Sequence, residues 1–151
     1  MKPSTEFKVQ RIRETSTDPI ICERPEMAAA YWREHITKAD WYDPMKEALV
    51  VLALNTRRRI IGHNLVSLGM LDGVSAHPRE IFRPLIIIAA HSGILMHNHP
   101  SGDPKASEAD IRATREFVRA GVLLRINIVD HVIVGEGSFT SLRQLGVIPP
   151  E

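Results

Sequence analysis

The rhythm of apolar positions changes several times along the chain, and each change marks an element. The run "EALVVLALN", Glu47 to Asn55, is short and continuously apolar, the pattern of a buried strand. The arginine turn Arg57-Arg58-Arg59 and "IIGHNLVSLGML" follow, which predicts a second strand folded back as a hairpin. "HPREIFRPLIIIAAHSG" instead spaces Ile81, Phe82, Leu85, Ile86, Ala89 and Ala90 three to four apart, so a core-facing helix is expected, kinked at Pro84 and closed by Gly93. "ILMHN" reads as a short strand. "SEADIRATREFVRAG" reads as a helix with Ile111, Thr114, Val118 and Val122 on one side and Gly121 at its end. "LLRINIVDHVIVG" is a further strand, "SFTS" a short edge piece and "LRQLGVI" a last helical turn. Upstream, "RPEMAAAYWREHITKADWY" predicts a helix near residues 25–37, preceded by an extension that either pairs at a sheet edge or is loosely ordered. The order β-β-α-β-α-β describes an α/β domain with a mixed sheet.

Composition narrows the classes. The 151 residues suffice for one core-bearing domain, and 44% apolar with 25% charged residues is the balance of a packed globular chain. Nineteen basic against eighteen acidic residues leave a formal charge of +1, so no global field draws in nucleic acid or an anionic membrane. The one local basic cluster is Arg57 to Arg59, and it reads first as a solvated turn. Cys22 stands alone, which excludes an internal disulfide and a thiolate zinc cluster and suits a reducing compartment. With neither a signal-peptide pattern nor an 18-residue apolar run, the expected location is cytoplasmic, with no membrane partner.

Chemistry concentrates in "MHNHPSGDPKASEAD", Met96 to Asp110. His97 and His99 stand at i and i+2 on an extended backbone, where side chains share a face and both imidazoles can reach one ion. The turn "PSGDP" bends the chain so that Asp110, in the first turn of the next helix, can return to the same point. Two nitrogens and one carboxylate make an ordinary catalytic zinc set with a fourth position for water. The competing reading is a capping box, Ser107-x-x-Asp110 before an apolar helical face. The other histidines, His35, His63, His77 and His91, sit at conventional helix and strand positions. No H-E-x-x-H occurs, and one cysteine cannot supply the nucleobase-deaminase signature.

Read as H-x-H-P-S-G-x-x-x-x-S-x-x-D, the string from His97 to Asp110 resembles the JAMM (JAB/MPN) metalloprotease motif in its bacterial RadC-like version. The likeness extends to Glu47 opening "EALVVLALN", to "HPREIF" and to the late "DHVIVG", and it covers about Asp43 to Ile148. It divides the chain into an N-terminal extension, 1–42, and a RadC-like JAB/MPN domain, 43–148, of the cytidine-deaminase-like α/β type with a mixed sheet flanked by helices. Ala106 stands where that family usually has proline and Met70 where threonine is common. The helix-hairpin-helix region that precedes the domain in full-length RadC-like proteins is not read here.

What the resemblance implies is a zinc-dependent metallohydrolase, a metalloprotease or isopeptidase. His97, His99 and Asp110 would ligate one Zn²⁺ per chain, Glu47 would be the general base and Ser107 would donate to the developing oxyanion. Asp130 and His131 are candidates for orienting a ligand histidine or for a buried structural pair. The expected partner is a peptide or an isopeptide-linked protein. Two alternatives stay open: a DNA-repair-associated or DNA-processing factor, tested by salt-sensitive binding through Arg57 to Arg59, and a non-catalytic metal-binding interaction module.

Overall fold

The continuous apolar run after Glu47 becomes strand β1, Ala48–Leu54, with all seven residues buried. It lacks alternation because both faces are covered: Val50, Leu52 and Leu54 join one core cluster, Leu49, Val51 and Ala53 another. The computed structural model describes residues 20–69 and 76–150; the extension up to residue 19 and Met70 lie outside the described residues. Strand β2, Ile60–Leu68, folds back antiparallel on β1 as the hairpin pattern requires. On the other side of β1 lies β3, Ser92–Asn98, also antiparallel. β4, Asn127–Val134, runs parallel to β3, and β5, Phe139–Ser141, closes the order β2-β1-β3-β4-β5.

Helix α1, Pro25–Glu34, covers one face and puts Trp32 into the core with Met96 and Val132; a 3-10 turn over Ile36–Lys38 follows it. Helices α2, Pro78–Ile87, and α3, Glu108–Leu124, cover the other face, where Phe82, Leu85 and Phe117 meet Leu95 and Ile133. The result is the expected α/β domain, a mixed sheet flanked by helices. Among the described residues no helix is long and apolar enough to cross a membrane.

Local readings change in three places. Gly121 does not end α3, which runs on to Leu124 and closes with Arg125 at φ 57. A Cβ at Gly121 would lie 2.6 Å from the Ile126 carbonyl oxygen and 3.2 Å from Phe82, so glycine is there for close packing, not for a cap. The buried stripe of α3 is Asp110, Thr114, Phe117 and Gly121, and Val122 is 61% exposed. The helix turns that way because Asp110 and Thr114 find polar partners inside. Gly93 likewise belongs to β3, and the turn after α2 is made by Ala89 at φ 52. The segment Leu142–Ile148 is a series of turns, with one i to i−4 bond from Leu145 N to Ser141 O.

Candidate metal centre

Strand register brings the candidate residues together. Leu49 pairs with His97, so the start of β1 and the exit of β3 are neighbours at one edge of the domain. Just before β1, Glu47 is buried there. His97 is fully buried on the α3 side of the sheet, and His99 follows beyond the strand end, held by its N–H to the Val134 carbonyl. The loop then doubles back: Gly102 N donates to His99 O, and Glu136 N donates to Gly102 O. A Cβ at Gly135 would lie 2.3 Å from the Gly102 oxygen and 2.9 Å from Pro104 N, so only glycine lets the loop sit this close to the end of β4.

At the end of the loop Ser107 caps α3. Its Oγ accepts from Asp110 N at 3.1 Å, and Asp110 Oδ2 accepts from Ser107 N at 2.9 Å, a complete capping box. The box and the site are therefore compatible. It uses Oδ2 and the backbone, fixing the carboxylate rotamer while leaving Oδ1 aimed inward.

The donor groups form a tight triangle, with the two histidines facing different oxygens of the Asp110 carboxylate. His97 Nε2 and His99 Nε2 are 3.0 Å apart, His97 Nε2 and Asp110 Oδ1 3.3 Å, and His99 Nε2 and Asp110 Oδ2 3.3 Å. Three donors on a tetrahedral ion with bonds of roughly 2.0–2.1 Å stand about 3.3 Å apart, and the two imidazoles, each facing its own oxygen of the one carboxylate, are at that spacing. Glu47 Oε1 lies farther out, 3.7 Å from His97 Nε2. One ligand atom from each of Glu47, His97, His99 and Asp110 falls within 4.8 Å of the others, the arrangement of a group that could hold a metal ion.

Asp110 Oδ1 supplies a second test. It is buried and has no hydrogen-bond partner. An orphaned carboxylate oxygen is costly in a folded interior, and a cation at the triangle would remove that cost. His99 Nδ1 donates to the Asp103 carbonyl at 2.8 Å, because a carbonyl can only accept; its Nε2 then carries a lone pair in the neutral ring. These residues fit a divalent metal.

Electrostatics follow from burial and neighbours. Burial alone would raise Asp110, but the facing His97 and His99 imidazoles, with the Ser107 amide, outweigh it and hold the carboxyl well below the ordinary range. His99 is raised, first by Asp110 and against its own burial. Glu47 is raised by burial, with the two histidines pulling the other way and Asp110 adding to the rise.

Glu47 is also held through its neighbours. Asn98, between the two histidines in sequence, turns to accept from Ala48 N at 2.8 Å and to donate to the Lys46 carbonyl at 3.0 Å. One amide thus clamps the backbone on either side of Glu47. Asn98 was not singled out in the sequence; a polar residue alternating with two ligands on a buried strand was the available signal. Thr114 was seen only as part of an apolar stripe, whereas its hydroxyl bonds both the Asp110 carbonyl and His131.

Asp130 and His131 part company. His131 points to the same face as His97 and meets its Nδ1 at 2.7 Å. Asp130 lies on the other face, accepting from Ser141 Oγ, His131 N and Arg143 N. The remaining histidines stay away from the centre: His35 stacks on Tyr31, His63 bonds the Tyr31 hydroxyl, His77 precedes α2 and His91 precedes β3. Arg57 to Arg59 occupy the β1–β2 turn, at the far end of a seven-residue strand from Glu47, about 20 Å away at the rise of a strand.

Comparison with known proteins agrees with this architecture. The family model for the RadC-like JAB domain matches residues 22–147. A UPF0758 protein of Methanosarcina barkeri is 42% identical over 103 residues, covering 68% of this chain and 45% of that relative. One from Moorella thermoacetica is 45% identical over 103 residues, again 68% and 45% of the two chains. A third, from Chlorobaculum parvum, is 50% identical over 101 residues, 67% of this chain and 46% of the relative. The chain spans about half the length of these curated relatives. It belongs to the RadC-like JAB domain family.

Proposed function

We propose that this RadC-like JAB domain is a zinc-dependent hydrolase of amide or isopeptide bonds, with His97, His99 and Asp110 holding one ion per chain. The observation that carries the reading is the inward-facing triangle of two imidazole nitrogens and a carboxylate whose Oδ1 has no other partner. Bound there, a zinc ion supplies a Lewis acid that acidifies water and polarises a carbonyl.

The chain's own groups divide the remaining work. Glu47, buried beside the triangle and raised by that burial, accepts a proton from water at its carboxylate and returns it to the leaving amine. Asn98 keeps that carboxylate in place by fixing the backbone on both sides of it. Ser107 spends its oxygen lone pair on the Asp110 amide and retains its hydroxyl proton, which is available to an oxyanion at the mouth of the site. Peptide or isopeptide is favoured over DNA as substrate because the arginine turn lies at the opposite end of the sheet from these groups.

The test is cleavage of peptide, isopeptide-linked and DNA substrates by zinc-loaded protein, with Glu47→Gln as the control. Cleavage of an amide or isopeptide substrate that disappears in Glu47→Gln supports the assignment. Amide cleavage that survives the substitution, or cleavage of DNA alone, overturns it, and full zinc occupancy without turnover on any substrate favours a binding module.

A further inference from the structure

Behind His97 runs a buried chain of three hydrogen bonds whose direction can be assigned without seeing a hydrogen. Thr114 Oγ1 lies 2.6 Å from the Asp110 carbonyl oxygen, one turn earlier in α3. A carbonyl has no proton, so the threonine hydroxyl must donate to it. The same Oγ1 is 2.6 Å from His131 Nδ1, and with its proton already committed it can only accept there. His131 therefore carries its proton on Nδ1. It is fully buried, where the uncharged ring is the cheaper state. Its Nε2 is then a lone pair, and the 2.7 Å contact to His97 Nδ1 requires a proton on His97 Nδ1. In the neutral His97 ring Nε2 is left as the lone pair, and Nε2 is the atom in the donor triangle.

We infer that Thr114 and His131 are positioning residues that lock His97 in its metal-binding tautomer, with the Asp110 carbonyl as the fixed end of the chain. Asp110 thus acts on the centre twice: its carboxylate is one corner of the triangle, and its carbonyl, through two side chains, dictates which nitrogen of His97 is free. The inference rests on the metal-site reading above and adds to it two residues that touch neither metal nor substrate. It also accounts for a threonine within the buried stripe of a helix, where a β-branched residue has no helix-forming advantage.

Reversing the chain defines the test. Thr114→Val keeps the shape and removes the hydroxyl, so a proton on His131 Nδ1 loses its acceptor. The pair then relaxes by moving the protons to His131 Nε2 and His97 Nε2, which places a hydrogen where the ligand lone pair stood. Thr114→Ser retains the hydroxyl and should behave as the parent; Thr114→Ala is a second hydroxyl-free variant should the valine fail to fold.

Two readouts are taken on folded, metal-stripped protein at a pH where His97 is neutral. Long-range proton–nitrogen NMR of the ring nitrogens reports the tautomer, and competition with a chromophoric chelator reports zinc affinity. The expected result is a proton on His97 Nδ1 in the parent and in Thr114→Ser, a shift toward Nε2 in the hydroxyl-free variants, and zinc binding weakened about 10–100-fold in those variants alone. A hydroxyl-free variant that keeps the Nδ1 proton and parental affinity overturns the inference, and so does Thr114→Ser weakened as much as Thr114→Val. If the parent itself binds no zinc, the metal reading fails while the ring-nitrogen spectra still decide the tautomer.

Discussion

Two aspartates, twenty residues apart and both nearly inaccessible, are used in opposite ways. Asp130, on the α1 face of β4, has its oxygens taken up by the Ser141 hydroxyl and by the backbone amides of His131 and Arg143. Asp110, on the α3 face, is tied at Oδ2 to the cap of its own helix and left with Oδ1 without a hydrogen bond, facing the His97 imidazole. The first carboxylate fastens β5 and the turns after it to the sheet; nothing remains for it to bind. The second is held in one rotamer and kept open. Burial alone marks neither as functional, since it acts to raise both pKa values and at Asp110 the histidines, helped by the Ser107 amide, reverse it. A ligand residue is recognised here by the bond it lacks.

The sharpest way to break the comparison is to neutralise each carboxylate in turn. Asp110→Asn should weaken zinc binding by more than the roughly 100-fold that an outer-sphere partner costs. It should barely change the unfolding free energy of the metal-free protein, because the amide oxygen can keep the cap and the amide protons can face the imidazole lone pairs. Asp130→Ala should do the reverse. Three donors lose their acceptor, which costs about 3–4 kcal/mol of stability by urea denaturation, while zinc affinity stays within a few-fold. Equal stability losses in the two variants would mean that the open oxygen has no special status.

Asn98→Ala probes the strand between the two regions. Loss of its bonds to Ala48 N and the Lys46 carbonyl should lower turnover on a cleaved substrate about tenfold or more through displacement of Glu47, with zinc affinity unchanged in the same titration. A parallel loss of metal would place Asn98 on the ligand side instead.

The smallest effect belongs to Cys22, beside Asp130. Burial, then the Asp130 charge, pushes its thiol up to about 11, with Arg58 opposing. At pH 8 the folded protein should therefore alkylate far more slowly than free cysteine, and reactivity should climb only as pH approaches that value. Removing the Asp130 charge lowers the thiol pKa, so the neutral variant Asp130→Asn should react faster at pH 8; an unchanged rate would show that Asp130 has no hold on this thiol.

How much of this was legible in the sequence depended on whether the partner was near in the chain. The β1 run, the hairpin, the His97–His99 pair and the Ser107–Asp110 box are local patterns, and each appears where its spacing places it. Even the coexistence of cap and site is local, since one turn makes both. The bond from His97 to His131 is not local. It depends on the β3–β4 register, in which Leu95 pairs with His131 and His97 with Ile133, and no pattern within either strand encodes that alignment. The rotation of α3 was missed for a related reason: helical periodicity grouped Thr114 with Ile111, Val118 and Val122, whereas its buried polar partners turn it to the side of Asp110 and Phe117. Gly93 and Gly121 were read as helix ends because glycine commonly serves there; Leu85 and Phe82, both from α2, press against them instead.

The most direct measurement is zinc stoichiometry and affinity, by elemental analysis and calorimetric titration, on the parent chain, Glu47→Gln, His97→Ala and Asp110→Asn. The expected result is one zinc per chain in the parent and in Glu47→Gln, with binding lost in His97→Ala and severely weakened in Asp110→Asn. Full occupancy in His97→Ala, or no zinc bound by the folded parent, would contradict the assignment of this triangle as a metal centre.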